Sequence, residues 1–133
     1  MVRRYAETTK VPVEQSLLAI QAVVAKYDGG QFAYGLGDEQ AVIAFTKDDR
    51  QVRFYVSMKD RDPQDRRVAM RALLLVIKAK LEAVASGIML FEDEFLANIV
   101  LPNGSLVGQE VRARIAKAYE TAEMPALLPD YSA

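Results

Sequence analysis

Eight basic side chains fall between residues 47 and 71: Lys47, Arg50, Arg53, Lys59, Arg61, Arg66, Arg67 and Arg71. Cations at this density suit the oxygens of a phosphate backbone, whose neutralisation releases counterions and drives association. Arg66 and Arg67 follow closely on Asp62-Pro63, a helix start whose free N–H groups add to the attraction for phosphate. Arg53 and Tyr55 stand two apart in a strand-like stretch, so they share a face on which a guanidinium and a phenol ring can stack on a base. The candidate nucleic-acid-binding set is therefore Arg50, Arg53, Tyr55, Lys59, Arg61, Arg66, Arg67 and Arg71. Asp48, Asp49, Asp60, Asp62 and Asp65 are interleaved with these cations and cut the regional charge to +3. They set up a competing expectation of solvated ion pairs, each contributing little.

Other chemistry is largely excluded by composition. The chain has no cysteine and no histidine, which removes disulfides, thiolate and imidazole metal sites, the Ser-His-Asp triad and the usual general base near neutral pH. Glu92, Asp93 and Glu94 in "FEDEF" suggest Mg²⁺, but carboxylates at a helix start are stabilising without a metal, and adjacent residues do not share a helix face. "YGLGDE" has two glycines but no following Lys-Ser/Thr, so it reads as a hairpin turn rather than a phosphate loop. Lys78 and Lys80 flank an apolar helix centre and are expected to snorkel. No nucleophile has an oriented base. The expectation is a protein that is not an enzyme and holds no metal or cofactor.

The elements that must position these groups can be read from the pattern. A chain of 133 residues, 51% hydrophobic and 26% charged, fits a single domain spanning 1–133, with a sheet and two helices over 2–86 and a C-terminal helical extension with a short hairpin over 87–133. "VRRYAETT" is a candidate first strand. "PVEQSLLAIQAVVAKYDGG" starts at a proline, repeats apolar residues at helical spacing and stops at a glycine pair. "QFAYGL", "QAVIAFT" and "QVRFYVS" form an antiparallel meander joined by the short polar turns "GDE" and "KDDR". Val42 and Ala44 make the second face of the middle strand apolar, so that face is expected to be covered.

A long helix follows, capped by Asp62, with Pro63 in its first turn and Gly87 past its end. Leu73 to Ile77 show apolar residues all round it, which calls for a second layer from residues 91–128 or from another subunit. "FEDEFLANI" predicts a short helix, Asn103-Gly104 a tight hairpin and "GQEVRARIAKAYETA" a last helix, while Met124 to Leu128 are expected to dock on the core. The fold class is α+β: a three- to four-stranded antiparallel sheet packed on helices, with a long central helix and a C-terminal helical subdomain. The order helix, three-stranded meander, helix is also that of the double-stranded RNA-binding domain, but the lysine-dense start of that family's second helix is absent here. Charge is unevenly placed, +4 over residues 1–80 and −5 over 81–133, a polarity that can steer an anionic partner. The longest apolar run is six residues, Ala72 to Ile77, and the start lacks a signal-peptide core, so no membrane span and a cytoplasmic location are expected.

At "PVEQS", "FAYG", "AVIAF", "RQVRF", "RALLLVIKAKLEAVASGI", "FEDEFLANIVLPNGSLVG" and "AYETAEMPALLP" the chain resembles a family of small uncharacterised proteins encoded by bacteriophages and prophages. Members of that family usually carry a longer insertion after the third meander strand; here that region is the short "MKDRDPQDRRVAM". The resemblance implies a context, a phage or mobile-element accessory protein in the cytoplasm of a host bacterium. The expected function is nucleic-acid binding through the basic surface. The alternatives are an anti-defence protein that inhibits a host protein complex, such as a CRISPR effector, and one that sequesters a nucleotide signal. The expected partner is nucleic acid or a host or phage protein, and a homodimer is a natural closed assembly.

Overall fold

The structure, a computed structural model, describes residues 8–130. Its elements run α1 (Val13–Lys26), β1 (Gly30–Leu36), β2 (Gln40–Lys47), β3 (Arg50–Ser57), α2 (Pro63–Ala85), α3 (Phe91–Glu94), a 3-10 turn (Leu96–Asn98) and α4 (Val107–Thr121). This is an α+β fold in which β1, β2 and β3 form an antiparallel sheet in sequence order. The strand expected in "VRRYAETT" falls mainly outside the described residues, and Thr8 and Thr9 are not in a strand.

Each tight turn has a local cause. Asp48 and Asp49 both have positive φ, 49° and 61°, the conformation of a two-residue hairpin loop whose twist matches the strands it joins. Gly37 N–H donates to Gln40 O at 3.0 Å and closes the other hairpin around Asp38 and Glu39. Asp62 caps α2 by accepting from Asp65 N–H at 2.8 Å, with Pro63 in the first turn.

Alternation along β2 and β3 puts Ala41, Ile43, Phe45, Val52 and Phe54 on one face, where they are buried under α1 and α2 with Leu17, Ile20, Val24, Met70, Leu74, Ile77 and Leu81. The two helices run parallel. Near their starts Gln64 Nε2 donates to Thr9 O at 2.9 Å, and near their ends Tyr27 Oη donates to Glu82 Oε1 at 3.3 Å. Ser16 lies fully buried in this layer, and its Oγ has no hydrogen-bond partner among the described residues. Replacing Ser16 by alanine removes an unsatisfied hydroxyl and improves helix propensity, so a gain of about 1 kcal/mol is expected in a urea titration.

What covers the flank of α2 is an aromatic plug. Phe95 is fully buried and stands edge-on to Phe45 at 6.0 Å and to Phe54 at 6.3 Å, with Phe91 at 5.2 Å. Lys80 does not snorkel to water alone: its Nζ donates to Glu94 O at 2.9 Å and lies 5.5 Å from the centre of the Phe95 ring. Leu73 joins this cluster, Leu75 is half-buried and Val76 remains 45% exposed. The second layer is therefore partial.

Beyond the plug, Ile99 bridges to Val52, and Val100 N–H donates to Gln51 O at 2.9 Å, so this segment occupies part of the outer edge of β3. The chain then turns at Gly104, whose φ of +87° suits glycine, and Leu106 pairs back with Val100. Glu110 locks the hairpin to α4 by accepting from Ser105 Oγ at 2.6 Å and Asn103 Nδ2 at 3.2 Å, and these bonds hold its carboxyl below the usual pKa. A lowered folded-state pKa means the contribution is complete above the ordinary carboxylate range and fades as pH falls through the lowered value. Glu110→Gln is expected to remove that acid dependence from the amide chemical shifts of residues 103–106, followed by NMR titration.

For the second face of the sheet, one of the two expected covers, the C-terminal helices, falls away, and the expected docking of the tail is corrected. α4 rests on the 3-10 turn through Gly108, where an added Cβ would lie 3.0 Å from Ala97 O; it does not cross the second face of the sheet. Val42 and Ala44 accordingly stay half-buried on a face that no described helix covers. The tail does not dock on the core either. Met124 is 86% exposed and Leu128 46%, and Arg114 Nη1 donates to Leu127 O at 2.8 Å, which folds the tail back on α4. The physical reason is geometric: a short hairpin carries α4 away from the sheet, so the nearest apolar surface for the tail is α4 itself.

Candidate nucleic-acid interface

The parallel packing of α1 and α2 brings their N-termini side by side. Between them lies an open cleft of about 500 Å³ lined by Lys10, Pro12, Val13, Glu14, Arg61, Pro63, Arg66 and Arg67. Four cations and one carboxylate face this space. Pro12 gives α1 no side-chain cap, so the Val13 and Glu14 N–H groups at the cleft lack intrahelical acceptors and add partial positive charge.

The arginines are held by neutral groups rather than by acids. Arg61 Nε donates to Ser57 O at 2.6 Å. Arg66 Nε donates to Arg61 O at 3.2 Å, and its Nη2 to Asp38 O at 3.1 Å and Met58 O at 3.4 Å, which ties the β1–β2 turn to the start of α2. Arg67 donates to Gln64 Oε1 through Nε at 3.0 Å and Nη2 at 2.6 Å. Among the described residues no carboxylate forms an ion pair with Lys10, Arg61, Arg66 or Arg67. Three of the five interleaved aspartates serve other ends: Asp62 caps α2, and Asp48 and Asp49 form a turn at the far end of β3. The solvated ion pairs that their spacing suggested are not formed among the described residues.

The sequence-derived set does not form one patch. Arg61, Arg66 and Arg67 meet in the cleft, and Arg71 lies one turn on from Arg67 along α2, half-buried. Lys59 sits beside the Asp38–Glu39 turn in a separate hollow. Arg53 and Tyr55 are on the uncovered face of the sheet, as their spacing predicts, with Arg53 Nη1 donating to Tyr55 Oη at 3.1 Å and to Gly104 O at 3.3 Å. Arg50 begins β3, seven residues from Ser57 and so about 23 Å from the cleft end of the strand. It pairs with Glu92 at 3.1 Å.

Lys10 is the residue that sequence reasoning missed. It lies some fifty positions before Arg61, and only parallel helix packing brings it there. The acidic run of "FEDEF" divides its charges, with Glu92 turned to Arg50 and Glu94 to Lys80 at 3.4 Å.

Helix, meander and parallel helix do reproduce the order of the double-stranded RNA-binding domain. The turn that would reach along a duplex is, however, only Asp38-Glu39, short and acidic. A footprint of about 16 base pairs does not follow from it. None of the described helices is long and apolar enough to cross a membrane. Comparison with protein-family models, curated proteins and solved structures gives no match.

Proposed function

We propose that the protein is a non-enzymatic accessory protein of a phage or mobile element that binds nucleic acid by its phosphate backbone. The contact surface in this reading is the cleft between the N-termini of α1 and α2, extended along α2 by Arg71. The observation that carries it is the convergence of Lys10, Arg61, Arg66 and Arg67 on one open space whose single lining carboxylate, Glu14, forms no ion pair with them among the described residues. Four cations in excess over one carboxylate, beside an uncapped helix start, attract phosphate, and the neutral acceptors orient the guanidinium groups. Arg53 and Tyr55 lie on a different face in this reading and make no contact with the same phosphates.

Fluorescence anisotropy with labelled single- and double-stranded DNA and RNA at varied salt tests the proposal. Four phosphate contacts correspond to a slope of about −3.6 in log K against log salt, roughly a hundredfold loss between about 50 and 200 mM. Absence of binding at low salt would remove the reading. The cleft volume also suits a single nucleotide. Thermal stabilisation by a nucleotide, without binding to oligonucleotides, would favour sequestration of a small signal instead.

A further inference from the structure

We infer that the edge of β1 left unpaired among the described residues is a self-association surface, where a second copy of the chain adds β1 to β1 antiparallel across a two-fold axis at Gly35. The two edges of the sheet are treated differently. On β3, Val100 N–H takes Gln51 O at 2.9 Å and Asn98 Nδ2 takes Arg53 O at 3.1 Å, so the chain's own C-terminal segment occupies the outward carbonyls. On β1 no described element pairs with the outer side. The strand reads "GQFAYGL": it has no lysine, no other charge and no proline, the devices that ordinarily keep an edge from pairing.

The geometry selects the register. Gly37 N–H bonded to Gln40 O makes that a hydrogen-bonded pair. By alternation Gly35↔Val42 and Ala33↔Ala44 are also hydrogen-bonded, which turns the N–H and C=O groups of Tyr34 and Leu36 outward. A bulge between Gly30 and Ala33 ends the regular edge on the other side. An axis at Gly35 uses just the regular part: Tyr34 exchanges both bonds with the partner copy's position 36, and Leu36 with its position 34. The same register packs each exposed Tyr34, 53% accessible, against a partner leucine that is 45% accessible in the lone chain.

Gly35 itself points the same way. Its φ is not positive, and a Cβ added there would meet nothing within 4 Å, so the chain alone gives no reason for a glycine inside this strand. A second backbone supplies one, because opposed residues that do not share hydrogen bonds approach to about 4.5 Å between Cα atoms. Charge selects the antiparallel sense. The acidic Asp38–Glu39 turns then sit at opposite ends of the paired strands, each near the partner's strand start, where Lys26, Lys47 and Arg50 offset Asp28, Asp48 and Asp49. A parallel pair would abut the two acidic turns.

The test uses the absence of native cysteine. Sedimentation equilibrium of the unaltered chain should give twice the chain mass. Leu36→Lys, at an exposed position, should return a folded monomer whose melting temperature no longer depends on protein concentration. Gly35→Cys should form a disulfide-linked dimer under mild oxidation at least ten times faster than Leu18→Cys, a thiol on the outer face of α1 at 63% exposure. A wild-type monomer at several hundred micromolar overturns the inference. So does a dimer that survives Leu36→Lys, or cross-linking of Gly35→Cys no faster than of the control.

Discussion

Replacing Lys10 and Arg67 together by glutamate is expected to weaken oligonucleotide binding at least about a hundredfold at moderate salt, with the salt slope reduced by about two. Both side chains line the cleft, and neither carries the fold. Among the described residues Arg67 bonds only to Gln64 Oε1 on its own helix, whereas Arg66 ties α2 to the Asp38 and Met58 carbonyls and would confuse binding with stability. The matching control reverses the same number of charges at Arg112 and Lys117, exposed on α4. If nucleic acid engages the cleft, the control binds as the parent does. Equal losses in both double variants would mean that only net charge matters and that the cleft has no special place. A loss confined to Arg53→Ala or Tyr55→Ala would move the interface to the open sheet face.

The largest stability effect is expected at Phe95. Its ring is fully buried against Phe45, Phe54 and Phe91 and lies under the Lys80 ammonium. Phe95→Ala deletes an aromatic ring at a point where α2, the sheet and the C-terminal segment meet, and such truncations cost about 3–5 kcal/mol. That is a large share of the roughly 5–15 kcal/mol that holds a domain of ordinary stability. A fall in melting temperature of more than about 10 °C follows from the usual entropy of unfolding at this size. Tyr119→Ala, by contrast, removes a ring that is 88% exposed and should change stability by less than about 0.5 kcal/mol. A Phe95→Ala protein that melts like the parent would show that the C-terminal segment is not part of the cooperative unit.

Much of this architecture is written in local chemistry. The cap Asp62, the proline behind it and the glycine past the end are enough to place α2, and alternating apolar residues with two-residue turns are enough to place the meander. The face shared by Arg53 and Tyr55 also follows from period-two spacing alone. These features depend on backbone preference and side-chain direction within a few residues, which a sequence displays directly.

Other features depend on where whole elements lie, and spacing cannot show that. Lys10 joins Arg61, Arg66 and Arg67 only because α1 and α2 pack in parallel. Arg50, close to Arg53 in sequence, is drawn off to Glu92 because a strand carries its two ends far apart. The apolar tail settles on α4, and Val42 and Ala44 stay half-open, because the hairpin at Gly104 directs α4 away from the sheet. Local chemistry thus places the helices and strands of the described residues, shows which of their faces are apolar and shows which chemistries lack the residues they need. The packing of whole elements sets which cations share a cleft, which carboxylates they meet and which sheet edge stays unpaired among the described residues, since charge pairing and edge protection are properties of distances between elements.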